Sequence, residues 1–339
     1  MVSTFFPRFI LVCAFLTSAQ FFGSAQINMP FFKGAVKENR DKFYNNLISS
    51  IKTNLSRPLD ETNEETWINA FDALNLANYK SLFITSRIDY AVKNIAGRSN
   101  DFKKALLSLL NNLIPKRYVG PVRSVFLNSG EDYRLMAMAA NYIIPAATAA
   151  DIKLMQQNVQ QKIKNDPDDP VLYQLNDQLQ NRGKERLMPY LKTFFSPQYL
   201  PGQVLILSFQ RQDRNFPGLA IVRKANGSFV KNSDGSYFSV GQLARSQSNM
   251  PGYISMGNTP QGIFRMDGFD TSKSFFIGPT TNIQLTMPFE YKASHFYRDS
   301  TLRDSIWTRE KYASLLPDNF KNYSPLFGTY YAGKAGRNE

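Results

Sequence analysis

The chain is predicted to be an α+β protein, with a helical N-terminal region followed by a β-rich one. Three observations predict it. Between about Lys37 and Phe195 the apolar residues recur at the spacing of one helix face. Beyond Pro201 that spacing gives way to short β-prone runs such as "GQVLILSF" and "GLAIVRKANGSFVKNSDGSYFSV". Asn226-Gly227 and Asp234-Gly235, dipeptides suited to the positive φ of tight hairpin turns, punctuate those runs. The change of style puts the boundary near 196–202. The predicted parts are a signal peptide over 1–25, a helical domain over 26–198 and a β-rich domain over 199–339.

Composition agrees with two globular parts. The 339 residues are 43% hydrophobic and 20% charged, enough apolar material for two cores and too little charge for a disordered chain. The first 25 residues have the layout of an export signal. Arg8 supplies the positive end, "FILVCAFLTSAQFF" the apolar centre, and Gly23-Ser24-Ala25 the small-residue cleavage site before Gln26. That apolar run falls short of the ~20 residues a transmembrane helix needs, which favours a removed signal over a retained anchor. Leu11 and Val12 ahead of Cys13 are not the small residues that precede a lipidated cysteine. The mature protein is therefore expected to be secreted or periplasmic.

Cysteine and histidine usage narrows the chemistry sharply. Cys13 is the only cysteine and His295 the only histidine. Removal of the signal leaves no disulfide, no thiolate nucleophile and no cysteine-based zinc site. The formal charge of +13 becomes +12 when Arg8 is lost, so weak association with anionic envelope surfaces is expected. The basic residues are scattered, with no run of five or six and no nucleic-acid-binding motif, and no nucleic-acid partner is expected.

Five helical stretches are readable from their own residues. "DFKKALLSLLNNLI" sets Phe102, Ala105, Leu106, Leu109, Leu110 and Leu113 on one face, with Ser99-Asn100-Asp101 as caps and Pro115 as the stop. "YRLMAMAANYII" repeats the pattern before Pro145. "AADIKLMQQNVQQKIKN" is a third amphipathic stretch, ending at an Asp-Pro-Asp-Asp-Pro turn, and "PVLYQLNDQLQNRGKERLMPYLKTFF" supplies a fourth and fifth. No fixed-period repeat is present, so a helical bundle is expected. In the second region "NGSFV" and "DGSYF" predict two successive hairpin turns, and "GIFRMDGF", "SFFIGP" and "NIQLTMPF" continue the strands to about 289. Beyond them "DSTLRDSIWTREKYASLL" reads as helical and "YYAGKAGRNE" as loop.

The stretch "GNTPQGIF" carries a resemblance. Thr259-Pro260-Gln261-Gly262-Ile263-Phe264 resembles the Thr-Pro-x-Gly-x-Phe turn of the L,D-transpeptidase catalytic domain, whose members are exported and remodel bacterial peptidoglycan. Met287-Pro288-Phe289 resembles the Met-Pro-aromatic element that follows in that domain. The likeness covers roughly residues 200–290. Physically, Pro260 fixes φ, Gly262 permits close backbone approach, and Phe264 is expected to anchor the next strand in the core. The resemblance implies a β-rich fold, no cofactor, and peptidoglycan or its stem peptides as partner, with Thr259, Pro260, Gly262 and Phe264 bordering the cleft. Arg245 and Tyr253, chosen by residue type and proximity, are further candidate contacts to an anionic substrate.

The departure concerns catalysis. The family's nucleophile is a Cys in a Ser-x-Gly-Cys element that follows a His-Gly element. Here no Cys follows residue 13, and His295 is followed by Phe296 in "KASHFYRD". No catalytic residue is assigned, and these residues are not expected to catalyse transpeptidation. A truncated product and a degenerate relative both account for the missing elements; the terminal "AGKAGRNE" favours the former.

Other residues have plainer readings. Asp267 and Asp270 lack further acidic ligands at calcium-loop spacing and read as turn and strand residues. "GSFV" and "GSYF" are not nucleophile elbows. Residues 60–65, "DETNEE", suit a helix start. Tyr323, Phe327, Tyr330 and Tyr331 read as core before they read as a carbohydrate-stacking surface. Asn54, Asn226 and Asn322 fit the glycosylation acceptor pattern. The alternative function is a non-enzymatic exported binding or scaffold protein that uses its helical half.

Overall fold

The computed structural model describes Gly34 and residues 36–183, 190–254, 257–272, 281–297, 301 and 305–335. The signal-peptide assignment over 1–25, the "SFFIGP" strand and the last four residues lie outside them.

The first region is built of helices α1 (Lys37–Ser56), α2 (Glu64–Ala77), α3 (Leu82–Lys93), α4 (Asn100–Leu113), α5 (Val119–Leu127), α6 (Tyr133–Ile143), α7 (Ala149–Asn165), α8 (Pro170–Gln180) and the short α9 (Lys192–Phe195). Local chemistry sets their ends. The Ser99 hydroxyl accepts the Phe102 N–H (3.2 Å) at the start of α4. Thr148 and Asp151 form a reciprocal capping box at α7. Asp169 accepts the Leu172 N–H (2.8 Å) at α8, whose first residue is Pro170.

α6 is the central helix. Every residue from Leu135 to Ile143 is buried, Asn141 included, so this helix is enclosed on all sides. Around it the amphipathic helices turn in Trp67, Phe71, Phe102, Leu106, Leu110, Met155 and Leu175. Phe71 meets Trp67 and Phe102 edge-on, with centroids 6.0 and 5.4 Å apart.

The second region holds an antiparallel sheet of β1 (Leu205–Phe209), β2 (Gly218–Arg223) and β3 (Ser239–Gln242), then a hairpin of β4 (Arg265–Thr271) and β5 (Thr281–Thr286). Leu205 pairs with Arg223 and Phe209 with Leu219. Between β2 and β3 run the two tight turns read from the sequence. Gly227 and Gly235 take φ of +86° and +85°, and each N–H closes onto the carbonyl three residues back. Three short helices follow among the described residues: α10 (Ala293–Tyr297), α11 (Arg309–Ser314) and α12 (Gly328–Lys334).

One expectation is corrected here and another agrees with the packing. "YYAGKAGRNE" was expected to be loop, yet Tyr330–Lys334 belong to α12. The stack of Tyr331 on Tyr173 of α8, at 4.8 Å, gives this glycine-containing segment the tertiary support its propensity lacks. The C-terminal aromatics are core residues. Tyr312, Leu316, Phe320, Phe327, Tyr330 and Tyr331 form a second apolar cluster.

The boundary visible in sequence style is not one in packing. Met250, Tyr253 and Ile254 are buried in the helical core. The side chain of Arg134 on α6 donates to the Ala335 carbonyl, and Ser324 donates to Asp177 (2.8 Å). No helix among the described residues is long and apolar enough to cross a membrane.

Candidate substrate-binding site

The site grows from one asparagine. Asn258 donates its backbone N–H to the Met250 carbonyl (2.6 Å), accepts the Ser246 N–H on its side-chain oxygen (2.7 Å), and donates its amide to Asn249 (3.0 Å). This ties residues 246–250 to Asn258 and presents the turn that follows. Thr259 is exposed on it and Pro260 half-buried.

The far side of the turn is held by the C-terminal helices. The Thr329 hydroxyl donates to the Gln261 carbonyl (3.0 Å). The Tyr312 hydroxyl accepts the Ile263 N–H (2.8 Å) and donates to the Leu326 carbonyl (3.1 Å). Burial pushes the Tyr312 phenol well up, so it stays a donor throughout the neutral range. Gly262 sits between these two groups, and a Cβ there would overlap both the Thr329 and the Tyr312 hydroxyl oxygens. The glycine is thus required by close approach.

The second motif arrives at the same helix. β5 ends at Thr286, Met287 and Pro288 are buried, and the Phe289 ring meets Tyr330 edge-on at 4.8 Å. It also occupies the space a side chain at Gly333 would need. α12 therefore carries both: Thr329 holds the Thr-Pro-Gln-Gly turn, and Tyr330 and Gly333 hold the Met-Pro-Phe element.

Three site expectations need correction or refinement. Phe264 was expected to anchor the strand in the core. Among the described residues it is Ile263 that packs on the Tyr312 cluster, and Phe264 is half-buried outside it. Ile263 is the residue whose N–H bonds the Tyr312 hydroxyl, just ahead of β4, and that bond brings it rather than Phe264 to the cluster. Tyr253 was expected to contact substrate but lies in the helical core. Its hydroxyl donates to Gln178 (2.9 Å) and accepts from Asn141 (3.0 Å), while Gln178 donates to Asn141 (2.8 Å). The three polar groups satisfy one another inside α6 and α8. Arg245 remains half-buried beside the turn. It donates to Asn112 of α4 (2.7 Å), Asn215 (2.9 Å) and the Ser246 carbonyl (3.0 Å).

Tyr253→Phe separates the two roles. Losing the hydroxyl orphans buried partners and is expected to cost about 1–3 kcal/mol in urea unfolding. Ligand retention of the folded variant is expected to be unchanged. A drop in retention without a loss of stability would instead make Tyr253 a contact residue.

Elsewhere, His295 is exposed on α10 with its ring 4.4 Å from that of Tyr291. Asp267 pairs with Arg265 (2.8 Å) and accepts from Thr286, whereas Asp270 accepts its neighbour's backbone N–H (2.7 Å). Both carboxylates serve the β4–β5 hairpin. Tyr312, Thr329 and Gly333 support the site yet carried no signal in the sequence, since they lie tens of residues from the motifs they hold.

Fold and site together define an α+β protein in which a helical bundle buttresses a small antiparallel β region and a glycine-dependent turn. No protein-family model, curated protein or solved structure matches the chain.

Proposed function

We propose that this chain binds peptidoglycan stem peptides through an L,D-transpeptidase-like β region and does not turn them over. The observation that carries the reading is the convergence of its two family-like elements on α12. Thr259-Pro260-Gln261-Gly262 and Met287-Pro288-Phe289 are separated in sequence and rest on adjacent residues of one helix. A turn used merely to reverse the chain needs no such support. Here the backbone of 261–263 is fixed by side-chain hydroxyls on one side, and Thr259 is left exposed on the other. That is the preorganisation a ligand-facing turn requires.

Binding without turnover follows from composition. After Cys13 these 339 residues contain no thiol, and His295 is exposed on α10 with its ring against Tyr291. The reading needs no cofactor and places the protein outside the cytoplasm, in the envelope or beyond it. Its test is retention on purified sacculi, scored against a control protein of like positive charge, because a formal charge of +13 alone draws a protein to anionic polymers. Retention above that control is expected; retention equal to it would refute specific binding.

A further inference from the structure

Arg214 and Arg245 resemble half-buried Arg87, which bonds the Leu55 and Arg57 carbonyls, and differ from three half-buried arginines that hold a carboxylate. Arg98 pairs with Glu64, Arg123 with Asp151 and Arg265 with Asp267. Among the described residues, Arg214 donates to the Ala244 carbonyl (3.3 Å), and Arg245 donates only to Asn112, Asn215 and the Ser246 carbonyl. All of these partners are neutral. The two arginines reach toward each other's segments, since Arg214 bonds the residue before Arg245, and Arg245 bonds the residue after Arg214.

Partial burial without a counter-ion leaves both charges under-compensated. Desolvation draws the two guanidiniums below their ordinary range. The acid that acts on Arg245 is Asp213, and its carboxylate is exposed and turned to the Asn215 backbone and side-chain amides (3.0 and 2.8 Å). A charge desolvated in this way costs stability unless something anionic completes it. The pair also sits at the candidate site, because the residue after Arg245 is bonded to Asn258, immediately ahead of Thr259.

We propose that Arg214 and Arg245 form a carboxylate-binding site beside the Thr259-Pro260 turn, at the junction of α4 with the β region. Guanidiniums match a carboxylate's planar pair of oxygens, and both here retain N–H donors without a protein partner among the described residues. The carboxylate it takes is that of a peptide stem. That last step rests on the peptidoglycan reading; the site itself does not.

The test uses acetate as probe at constant ionic strength, with chloride as the balancing ion. The side-chain Nε–H resonances of Arg214 and Arg245 are followed by NMR. Saturable shifts confined to these two are expected, with the resonance of buried Arg223 unmoved as an internal control. Arg245→Gln should abolish the response at Arg214, and Arg214→Gln that at Arg245, in variants whose urea midpoints show that they are folded. Absence of a saturable shift, or an equal shift at every arginine, would overturn the site. Sacculus retention by the same wild-type preparation separates the two ideas. Retention without an acetate response overturns the site alone, and an acetate response without retention overturns the cell-wall reading alone.

Discussion

Gly262→Ala is expected to break the turn and abolish sacculus binding together. The added methyl would meet the Thr329 Oγ1 and the Tyr312 hydroxyl, both fixed by their own hydrogen bonds. Neither can yield cheaply, because Thr329 belongs to α12 and Tyr312 lies fully buried in the second core. Overpacking of this kind costs about 1–3 kcal/mol, and displacing either hydroxyl forfeits about 1 kcal/mol more per hydrogen bond. The check is a lowered urea midpoint at unchanged slope, together with lost retention. Pairing the change with Thr329→Ala removes one of the two obstructing oxygens and should recover part of the stability. A loss in the double variant smaller than the sum of the two single losses would locate the effect in this contact and not in backbone entropy. If Gly262→Ala proves neutral in both measurements, the turn is not held as described.

Arg223→Met is expected to have a comparable effect through a different mechanism. Arg223 is the fully buried residue of β2, and its guanidinium donates to four main-chain carbonyls, those of Phe194, Ser196, Tyr199 and Leu200. It thereby pins the connection between α9 and β1, and so the sheet to the helical half. Hydrogen bonds from a charged donor contribute about 1.5–3 kcal/mol each, and methionine offers none. With water reaching part of the exposed segment, a net loss of about 3–5 kcal/mol is expected. Its local signature should be faster amide exchange over 196–203, at sites that are slow in the parent. Arg223→Lys keeps the charge but cannot reach four carbonyls with one ammonium, so it should fall between the two. Parent-like exchange in Arg223→Met would mean that the linker is held by something else.

How legible the fold was depended on how local its causes are. α4, α7 and α8 could be read because cap, apolar stripe and stop lie within one stretch: Ser99 and Pro115, Thr148 with Asp151, Asp169 with Pro170. The turns at Gly227 and Gly235 were equally local, since the dipeptide itself supplies the positive φ. α12 could not be read in the same way. Glycines at 328 and 333 argue against a helix, and what holds it comes from Tyr173 and Phe289.

The site was legible as a motif and not as an environment. Thr259, Pro260 and Gly262 form one turn, but the residues that fix it come from α11 and α12. Tyr253 was misjudged because its partners, Asn141 and Gln178, stand 112 and 75 residues away and turn an apparent surface phenol into a core one. Arg245 was singled out by its charge. Its relation to Arg214 emerged only from the strand order that brings the β1–β2 connection against the end of β3.

The most direct test of the central claim compares two sacculus preparations, one intact and one stripped of stem peptides by an amidase that leaves the glycan strands. Peptide recognition predicts retention of the wild-type chain on intact sacculi and its loss on stripped ones, at a salt concentration that releases a control of like charge. Equal retention on both would contradict it and show that the chain holds to glycan or to charge alone.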